Sequence, residues 1–242
     1  MAHSQGTTQM FYALTESQEY WKSKVNLFVA LAPITRLDHT TNGLLSFFAG
    51  AVSLVGNTLT LFHVYDVLGS GASVLTKGVC GIIPQFCQLM EGFAITHDPS
   101  LDSEDRFQVY MGHFPAGASV QSLWHYAQNI NSHNMQLFDW GSESLNKQKY
   151  GQATPPIVLL NKITDVPVAM FVGTSDDLGD TTDTRWARDT ISSAGQAVVH
   201  YEEMAGGHAS FLIGKDMTWV NRALELTDHY TTHAFNPGAT LY

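Results

Sequence analysis

The sequence predicts an α/β fold, in which helices pack on a parallel sheet, and three observations carry this prediction. Residues 25–32 form a mostly apolar run that ends at Pro33, which is typical of a strand buried on both faces. Residues 5–20 precede this run, and their apolar side chains have helical spacing. Further apolar strand patterns follow at residues 166–172 and 197–201. Strands that alternate with helices in this order predict a doubly wound sheet. Other helical patterns are at residues 119–131, 185–194 and 216–229, and residues 78–93 have the pattern of an apolar helix or turn.

The α/β pattern stops between Pro33 and residue 166. Within this stretch, residues 44–62 carry no charged side chain and are about long enough to span a bilayer. Gly50 and Asn57 dilute the hydrophobicity, and basic residues are scarce at both ends. We therefore expect a lid or cap over a pocket, with a membrane anchor as the alternative. Residues 98–106 read as an acidic loop.

Composition excludes several classes of partner. The 242 residues carry 12 Lys and Arg against 22 Asp and Glu, a net charge of −10, and no basic run occurs. Nucleic acids and anionic membrane surfaces attract basic patches, so we expect neither as a partner. The chain is long enough for one large globular domain, or for a core with an insertion.

Cys80 and Cys87 are the two cysteines of the chain, and they do not form a pair of metal-binding C-x-x-C motifs. Their spacing suits two buried thiols that lie two turns apart on one helix. It also suits a disulfide that closes a small loop in an oxidising compartment. Both interpretations stay open.

The first residues, Ala2-His3-Ser4-Gln5-Gly6, nearly match the G-x-S-x-G nucleophile elbow, with Ala in place of the first Gly. In that motif a strand turns sharply into a helix, and a serine lies at the strained corner. The residues two before and two after the serine must be small, because strand and helix approach each other closely there. One additional methyl group at Ala2 is a tolerable departure. Ser4 is therefore the candidate nucleophile.

A serine hydroxyl needs a base to take its proton, and the base needs a carboxylate to hold its tautomer. In one large class of α/β enzymes the chain order is Ser, then Asp or Glu, then His, each on a loop after a strand. Ser4, Asp176 and His208 follow this order, and the last two come after predicted strands. Asp177 competes with Asp176 for the acid role.

Five segments of the sequence resemble the acid lipases, the gastric, lingual and lysosomal group. They are the nucleophile segment at residues 3–7, the H-F-P-A-G-A-S-V-Q string at 113–121, the F-D-W-G-S string at 138–142, the aspartate loop at 166–178 and the histidine loop at 208–216. The resemblance covers nearly the whole chain. It departs from the family pattern at Ala2, Thr174 and Ser210. Cys80 and Cys87 fall near the cap disulfide of the family with a different spacing.

The resemblance implies an α/β-hydrolase core with an inserted helical cap or lid. The cap would comprise residues 34–152, and the core would comprise residues 1–33 and 153–242. The implied protein is a lipase, a serine ester hydrolase that cleaves acylglycerols or sterol esters, with no metal or organic cofactor. A secreted or lysosomal location is also implied.

The same resemblance implies a role for each candidate site residue. Ser4 would attack the ester, His208 would act as base and then as acid, and Asp176 would orient the histidine. The backbone N–H of Gln5 would be one oxyanion donor.

In the acid lipases a long portion precedes the elbow and supplies the early strands and an H-G motif with a second oxyanion donor. This sequence begins close to Ser4, so we expect a partial core without the early strands and without that donor. Residues 25–32 and 166–172 would then keep unpaired edges that a second copy or a partner chain could cover. On its own, the chain would be inactive and aggregation-prone, or stable as an oligomer. The alternative function is accordingly a non-catalytic remnant, or pseudoenzyme subunit, of a larger assembly.

Overall fold

The computed structural model describes residues 1–42, 66–67, 98–113, 116–233 and 235. Four strands form a parallel sheet, namely β1 (Ala2–His3), β2 (Phe28–Leu31), β5 (Val168–Gly173) and β6 (Val198–Met204). Their order across the sheet is β1-β2-β5-β6. Two short strands, β3 (Asp66–Val67) and β4 (Ala118–Ser119), pair antiparallel in a second sheet. The parallel sheet confirms the predicted α/β class.

The described residues contain eight α-helices. They are α1 (Gln5–Glu16), α2 (Gln18–Lys22), α3 (Glu104–Met111), α4 (Val120–Ser132), α5 (Glu143–Tyr150), α6 (Thr181–Ser192), α7 (Ser210–Ile213) and α8 (Trp219–Thr232). Short 3₁₀ turns lie at Pro99–Leu101 and Leu160–Lys162. None of these helices is both long enough and apolar enough to span a membrane.

The core lies on both faces of the sheet, because every residue of β2 and β5 is buried and successive side chains point to opposite sides. On one face, strand side chains pack against α1 and α6 in a cluster that includes Phe11, Leu14, Phe28, Met170 and Ile191. On the other face, they pack against α7 and α8 in a cluster that includes Val29, Leu31, Phe171, Phe211 and Trp219. Helices on both faces are the layer arrangement that the continuous apolar runs predict.

β1 is a two-residue strand that leads directly into the elbow. Ala2 pairs with Ala30 of β2, and His3 pairs with Leu31. β5 lies between β2 and β6 and is paired on both sides. The expectation of an unpaired edge at residues 166–172 is therefore wrong, because the strand predicted at 197–201 forms beside it. The expectation that a second chain completes the sheet stays a prediction.

Two other elements differ from the sequence-based expectation. The helix predicted at residues 5–20 is divided at Ser17, whose backbone angles (φ −145°, ψ 60°) are not helical. The acidic loop predicted at residues 98–106 contains the beginning of α3 at Glu104, since acidic side chains stabilise the first turn of a helix. The lid predicted at residues 44–62, the pattern at 78–93, and the two cysteines, Cys80 and Cys87, lie outside the described residues.

A buried carboxylate, that of Asp183 in α6, ties the segment after β2 to the helix layer. Its Oδ1 accepts hydrogen bonds from Arg36 Nε at 2.9 Å and from His39 Nδ1 at 2.8 Å, and its Oδ2 accepts one from the backbone N–H of His39. The hydrogen bond to Asp183 raises the pKa of His39. Asp38, His39 and Asp183 have the chemistry of metal ligands, and their ligand atoms lie within 4.8 Å of one another. Arg36 already neutralises the buried carboxylate, so the cluster is an ion-pair network.

Replacing Asp183 by Ala is expected to lower the free energy of unfolding by about 3 kcal/mol, because Arg36 and His39 lose a buried, hydrogen-bonded partner. Asp189 on the same helix pairs with Arg188, and its side chain is 67% exposed. The control Asp189→Ala should change the free energy by less than about 1 kcal/mol. Denaturant unfolding of both variants measures the difference. Equal losses would contradict the assignment of Asp183 as a structural tie.

Candidate active site

The turn between β1 and α1 has the geometry of a nucleophile elbow. Ser4 adopts φ 55° and ψ −126°, a conformation that is strained for any residue with a side chain. Its N–H donates to the carbonyl of Leu31 at 3.1 Å. Its carbonyl accepts from both the N–H and the hydroxyl of Thr7, at 2.8 and 2.6 Å. The strain is held in place by bonds on both sides of the serine.

Small residues flank the elbow because strand and helix meet there. A Cβ atom built on Gly6 would lie 3.4 Å from the Cβ of Ala2, at the close end of ordinary van der Waals contact. Ala2 and Gly6 therefore face each other across the elbow, and the methyl group of Ala2 fits beside Gly6.

The structure brings Ser4, His208 and Asp176 together in one hydrogen-bonded chain. His208 Nε2 lies 2.7 Å from Ser4 Oγ, and His208 Nδ1 lies 2.9 Å from Asp176 Oδ2. Because the carboxylate accepts, Nδ1 carries the ring proton and Nε2 is left to accept from the serine hydroxyl. The three side chains come from the carboxyl ends of β1, β5 and β6, which the parallel sheet places side by side. This is the arrangement that activates a serine.

Asp176 is held as a charged acceptor although its side chain is fully buried. Its Oδ1 accepts from the backbone N–H groups of Leu178 and Gly179, each at 2.8 Å. Burial alone would raise the pKa of Asp176. The positive charge and ring N–H of His208, followed by the two backbone N–H groups, outweigh burial and hold the pKa below its ordinary value. The carboxylate therefore stays ionised beside the imidazole.

The geometry separates Asp176 from its neighbour Asp177. The Asp177 carboxylate accepts from the hydroxyl of Thr41 at 2.9 Å, and its carbonyl accepts from Thr40 and from the N–H of Asn42. Asp177 thus holds the segment that follows β2. The carboxylate that accepts the hydrogen bond of His208 Nδ1–H is that of Asp176.

The loop that carries His208 is fixed from outside by residues that the sequence motifs do not predict. Ser210 Oγ accepts from the N–H of Gly207 at 2.7 Å and donates to Asp102 Oδ1 at 2.6 Å. All of these groups are buried. Asp102 lies more than a hundred positions earlier in the chain, so no local pattern could have identified it. A second contact is the bond from the Ser175 N–H to the Gly206 carbonyl at 2.9 Å.

His3, the residue before the nucleophile, also contacts the histidine loop. Its Nε2 lies 2.8 Å from the carbonyl oxygen of His208, and the two imidazole ring centres are 5.0 Å apart. Burial, followed by the charge of protonated His208, lowers the pKa of His3 from 6.5 to about 4, although the bond to the His208 carbonyl opposes this. His3 is therefore mostly neutral above about pH 4.

The lowered pKa of His3 predicts a loss of stability in acid. Between pH 6.5 and about 4 the unfolded chain binds a proton at His3 that the folded chain does not bind. The free energy of unfolding should therefore fall by about 3 kcal/mol as pH drops through this window. His3→Gln lacks this contribution. The free energy of unfolding of the variant, relative to that of the wild type, should therefore be higher at pH 4 than at pH 7. Denaturant unfolding at both pH values measures the change, and parallel pH curves would contradict it.

The string at residues 138–142 and two side chains of α4 hold the segment that follows α4. Gln128 binds the backbone of Asp139 twice, donating to its carbonyl and accepting from its N–H, each at 2.8 Å. His125 Nε2 donates to the carbonyl of Gln136 at 2.7 Å. Trp140 Nε1 donates to the hydroxyl of Tyr150 at 3.1 Å. Gln128 and His125 thus attach α4 to the segment that follows it, and Trp140 attaches that segment to α5.

A cavity of about 300 Å³ lies between α1 and α4. Gln5, Thr8 and Tyr12 line it from α1, and Tyr126 lines it from α4. The wall begins at Gln5, one residue from the nucleophile, and Ser4, Asp176 and His208 do not contribute to it. The cavity therefore lies beside α1, the helix that follows the elbow, whereas Ser4, Asp176 and His208 lie at the carboxyl end of the sheet.

Comparison with known proteins identifies the homologues of the chain as lipases. It is 32% identical over 224 residues to mouse lipase member K, covering 89% of this chain and 53% of that protein. It is 33% identical over 220 residues to rat gastric triacylglycerol lipase, with 89% and 54% covered. It is 31% identical over 240 residues to rat lysosomal acid lipase/cholesteryl ester hydrolase, with 95% and 57% covered. The chain spans about half the length of the curated relatives it matches. No protein-family model matches it.

Proposed function

We propose that this homologue of the acid lipases is a serine ester hydrolase that cleaves acyl esters of lipids through an acyl-enzyme. The observation that carries the proposal is the chain of hydrogen bonds from Ser4 Oγ through His208 to Asp176, built on a strained elbow. The lipase relatives support the same reaction class.

In the proposed acylation step, Ser4 Oγ attacks the ester carbonyl carbon while His208 Nε2 takes the hydroxyl proton. The imidazolium that forms is stabilised by the Asp176 carboxylate at Nδ1. When the tetrahedral intermediate collapses, the carbon–oxygen bond to the leaving alcohol breaks and His208 returns its proton to that alcohol. The acyl group is then esterified to Ser4.

Water attacks the acyl-enzyme in the proposed second step, with His208 again taking a proton, and the fatty acid leaves as Ser4 is regenerated. The N–H of Gln5 is our candidate oxyanion donor. Gln5 is the first residue of α1, and the N–H groups of a first helical turn have no acceptor within the helix. The positive end of the helix dipole favours the developing negative charge at the same place.

Triacylglycerols and sterol esters are the substrate class that we propose, since the relatives are a gastric triacylglycerol lipase and a lysosomal cholesteryl ester hydrolase. A secreted or lysosomal location fits the same relatives. We assign residues 34–152 to a cap over the site. The contact of Phe107 in α3 with Ala209 and Ile213, next to the catalytic histidine loop, supports this assignment.

The alternative, a non-catalytic subunit, is not favoured. A protein that served only assembly would have no need to keep a strained serine in hydrogen-bond contact with a histidine and a buried carboxylate.

Fluorophosphonate labelling of the purified chain tests the proposal, because the probe phosphonylates an activated serine and leaves other serines unmodified. We expect one adduct by intact mass, on the peptide that contains Ser4. The control Ser193→Ala, at an exposed serine, should be labelled like the wild type. Absence of an adduct, or labelling that persists in Ser4→Ala, would overturn the proposed function.

A further inference from the structure

The loop that carries His208 lies outside strands and helices and is held by individual main-chain and side-chain hydrogen bonds. Residues 205–209 lie between β6 and α7, so their backbone has no ladder of regular hydrogen bonds. The position of the imidazole therefore depends on individual contacts to the loop. Gly206 is held by Ser175, Gly207 is held by Ser210, and the carbonyl of His208 itself is bound by His3.

We propose that His3 is a positioning residue, whose neutral imidazole donates to the main-chain carbonyl of His208 and thereby holds the catalytic ring between Ser4 and Asp176. This inference rests on the proposed function, in which His208 is the general base. It concerns how the base is kept in place.

The chemistry of the contact fixes the state of His3. A carbonyl oxygen only accepts hydrogen bonds, so the Nε2 atom of His3, at 2.8 Å from it, carries the proton. The charged groups that face His3 are His208 and Asp176. A positive charge on His3 would lie beside the His208 ring, 5.0 Å between ring centres, and would oppose the imidazolium that forms during catalysis. The neutral form supplies the hydrogen bond without that repulsion.

His3 can donate to the His208 carbonyl because it lies in the elbow itself. His3 is the last residue of β1 and directly precedes the nucleophile, and its backbone is paired with Leu31. One rigid turn therefore presents both the hydroxyl that His208 activates and the donor that holds the His208 backbone. A misplacement of about 1 Å between base and nucleophile can cost about 10²-fold in rate, so a small shift of the loop matters.

Two substitutions separate the hydrogen bond from the bulk of the ring. His3→Phe keeps a ring of similar size and removes the donor, whereas His3→Gln keeps an N–H donor near the same place. We expect the rate constant for fluorophosphonate labelling of Ser4 to fall about 10²-fold in His3→Phe and to be largely retained in His3→Gln. His229→Phe, at an exposed histidine of α8, is the matched control and should leave the rate unchanged.

A spectroscopic measurement makes the test independent of turnover. The low-field proton resonance of the His208 Nδ1–H bond to Asp176 reports whether the ring is ordered. It should be present in the wild type and in His3→Gln, and broadened or lost in His3→Phe. If the probe does not label the wild type, but the resonance is present in the wild type and His3→Gln and lost in His3→Phe, the proposed function is overturned and the role of His3 stands. Equal labelling and an equal resonance in His3→Phe and wild type would overturn the role of His3.

Discussion

Ser4→Ala and His208→Ala are each expected to lower the esterase rate by about 10³-fold or more. Ser4→Ala removes the atom that forms the acyl-enzyme. His208→Ala removes the base 2.7 Å from that atom and leaves Asp176 without its ring N–H partner. Because the residues act as one unit, the double variant should be no slower than either single variant. Hydrolysis of p-nitrophenyl esters measures all three.

Folding controls are needed because both side chains lie at the packed end of the sheet. Ser193→Ala and His229→Ala change the same residue types at exposed positions and should keep the wild-type rate. Circular dichroism should show that all variants retain the folded state. An active Ser4→Ala variant would mean that the hydrolysis uses a different nucleophile.

The sheet and the candidate triad follow from the sequence because their signals are local. A continuous apolar run such as residues 25–32 is what a strand covered on both faces requires, and the structure places β2 within it. Small residues around Ser4 are typical of the elbow motif, and the structure places Ala2 opposite Gly6, with 3.4 Å between the Ala2 Cβ and a Cβ built on Gly6. Chain order then relates Ser4 to Asp176 and His208.

Contacts between distant segments could not be predicted in this way. The bonds from His3 to the His208 carbonyl and from Ser210 to Asp102 join residues that are 205 and 108 positions apart. No periodicity encodes them, since they depend on how loops meet after the sheet has formed. The start of α3 was a different case. Ser103 followed by two acidic residues is a local pattern typical of a helix beginning, although the same acidic residues are also typical of an exposed loop.

Asp176→Asn is expected to lower the esterase rate by about 10³- to 10⁴-fold, as removal of the charge does in other serine triads. An amide at this position can donate to Nδ1, which favours the tautomer with the proton on Nε2 and prevents that atom from accepting the serine proton. The imidazolium of the transition state also loses its buried counter-charge. The neighbouring Asp177→Asn is the matched control, because its side chain binds Thr41 rather than His208.

The pair of variants also tests the tautomer argument by spectroscopy and by kinetics. Asp177→Asn should keep the rate within about tenfold, since it alters one hydrogen bond of the segment after β2. In Asp176→Asn the kcat should fall with little change in KM, because the carboxylate contacts the base and not the substrate. The low-field Nδ1 proton resonance should vanish in Asp176→Asn and persist in Asp177→Asn. A larger loss in Asp177→Asn would move the acid role one residue along the chain, against the 2.9 Å contact between Asp176 Oδ2 and His208 Nδ1.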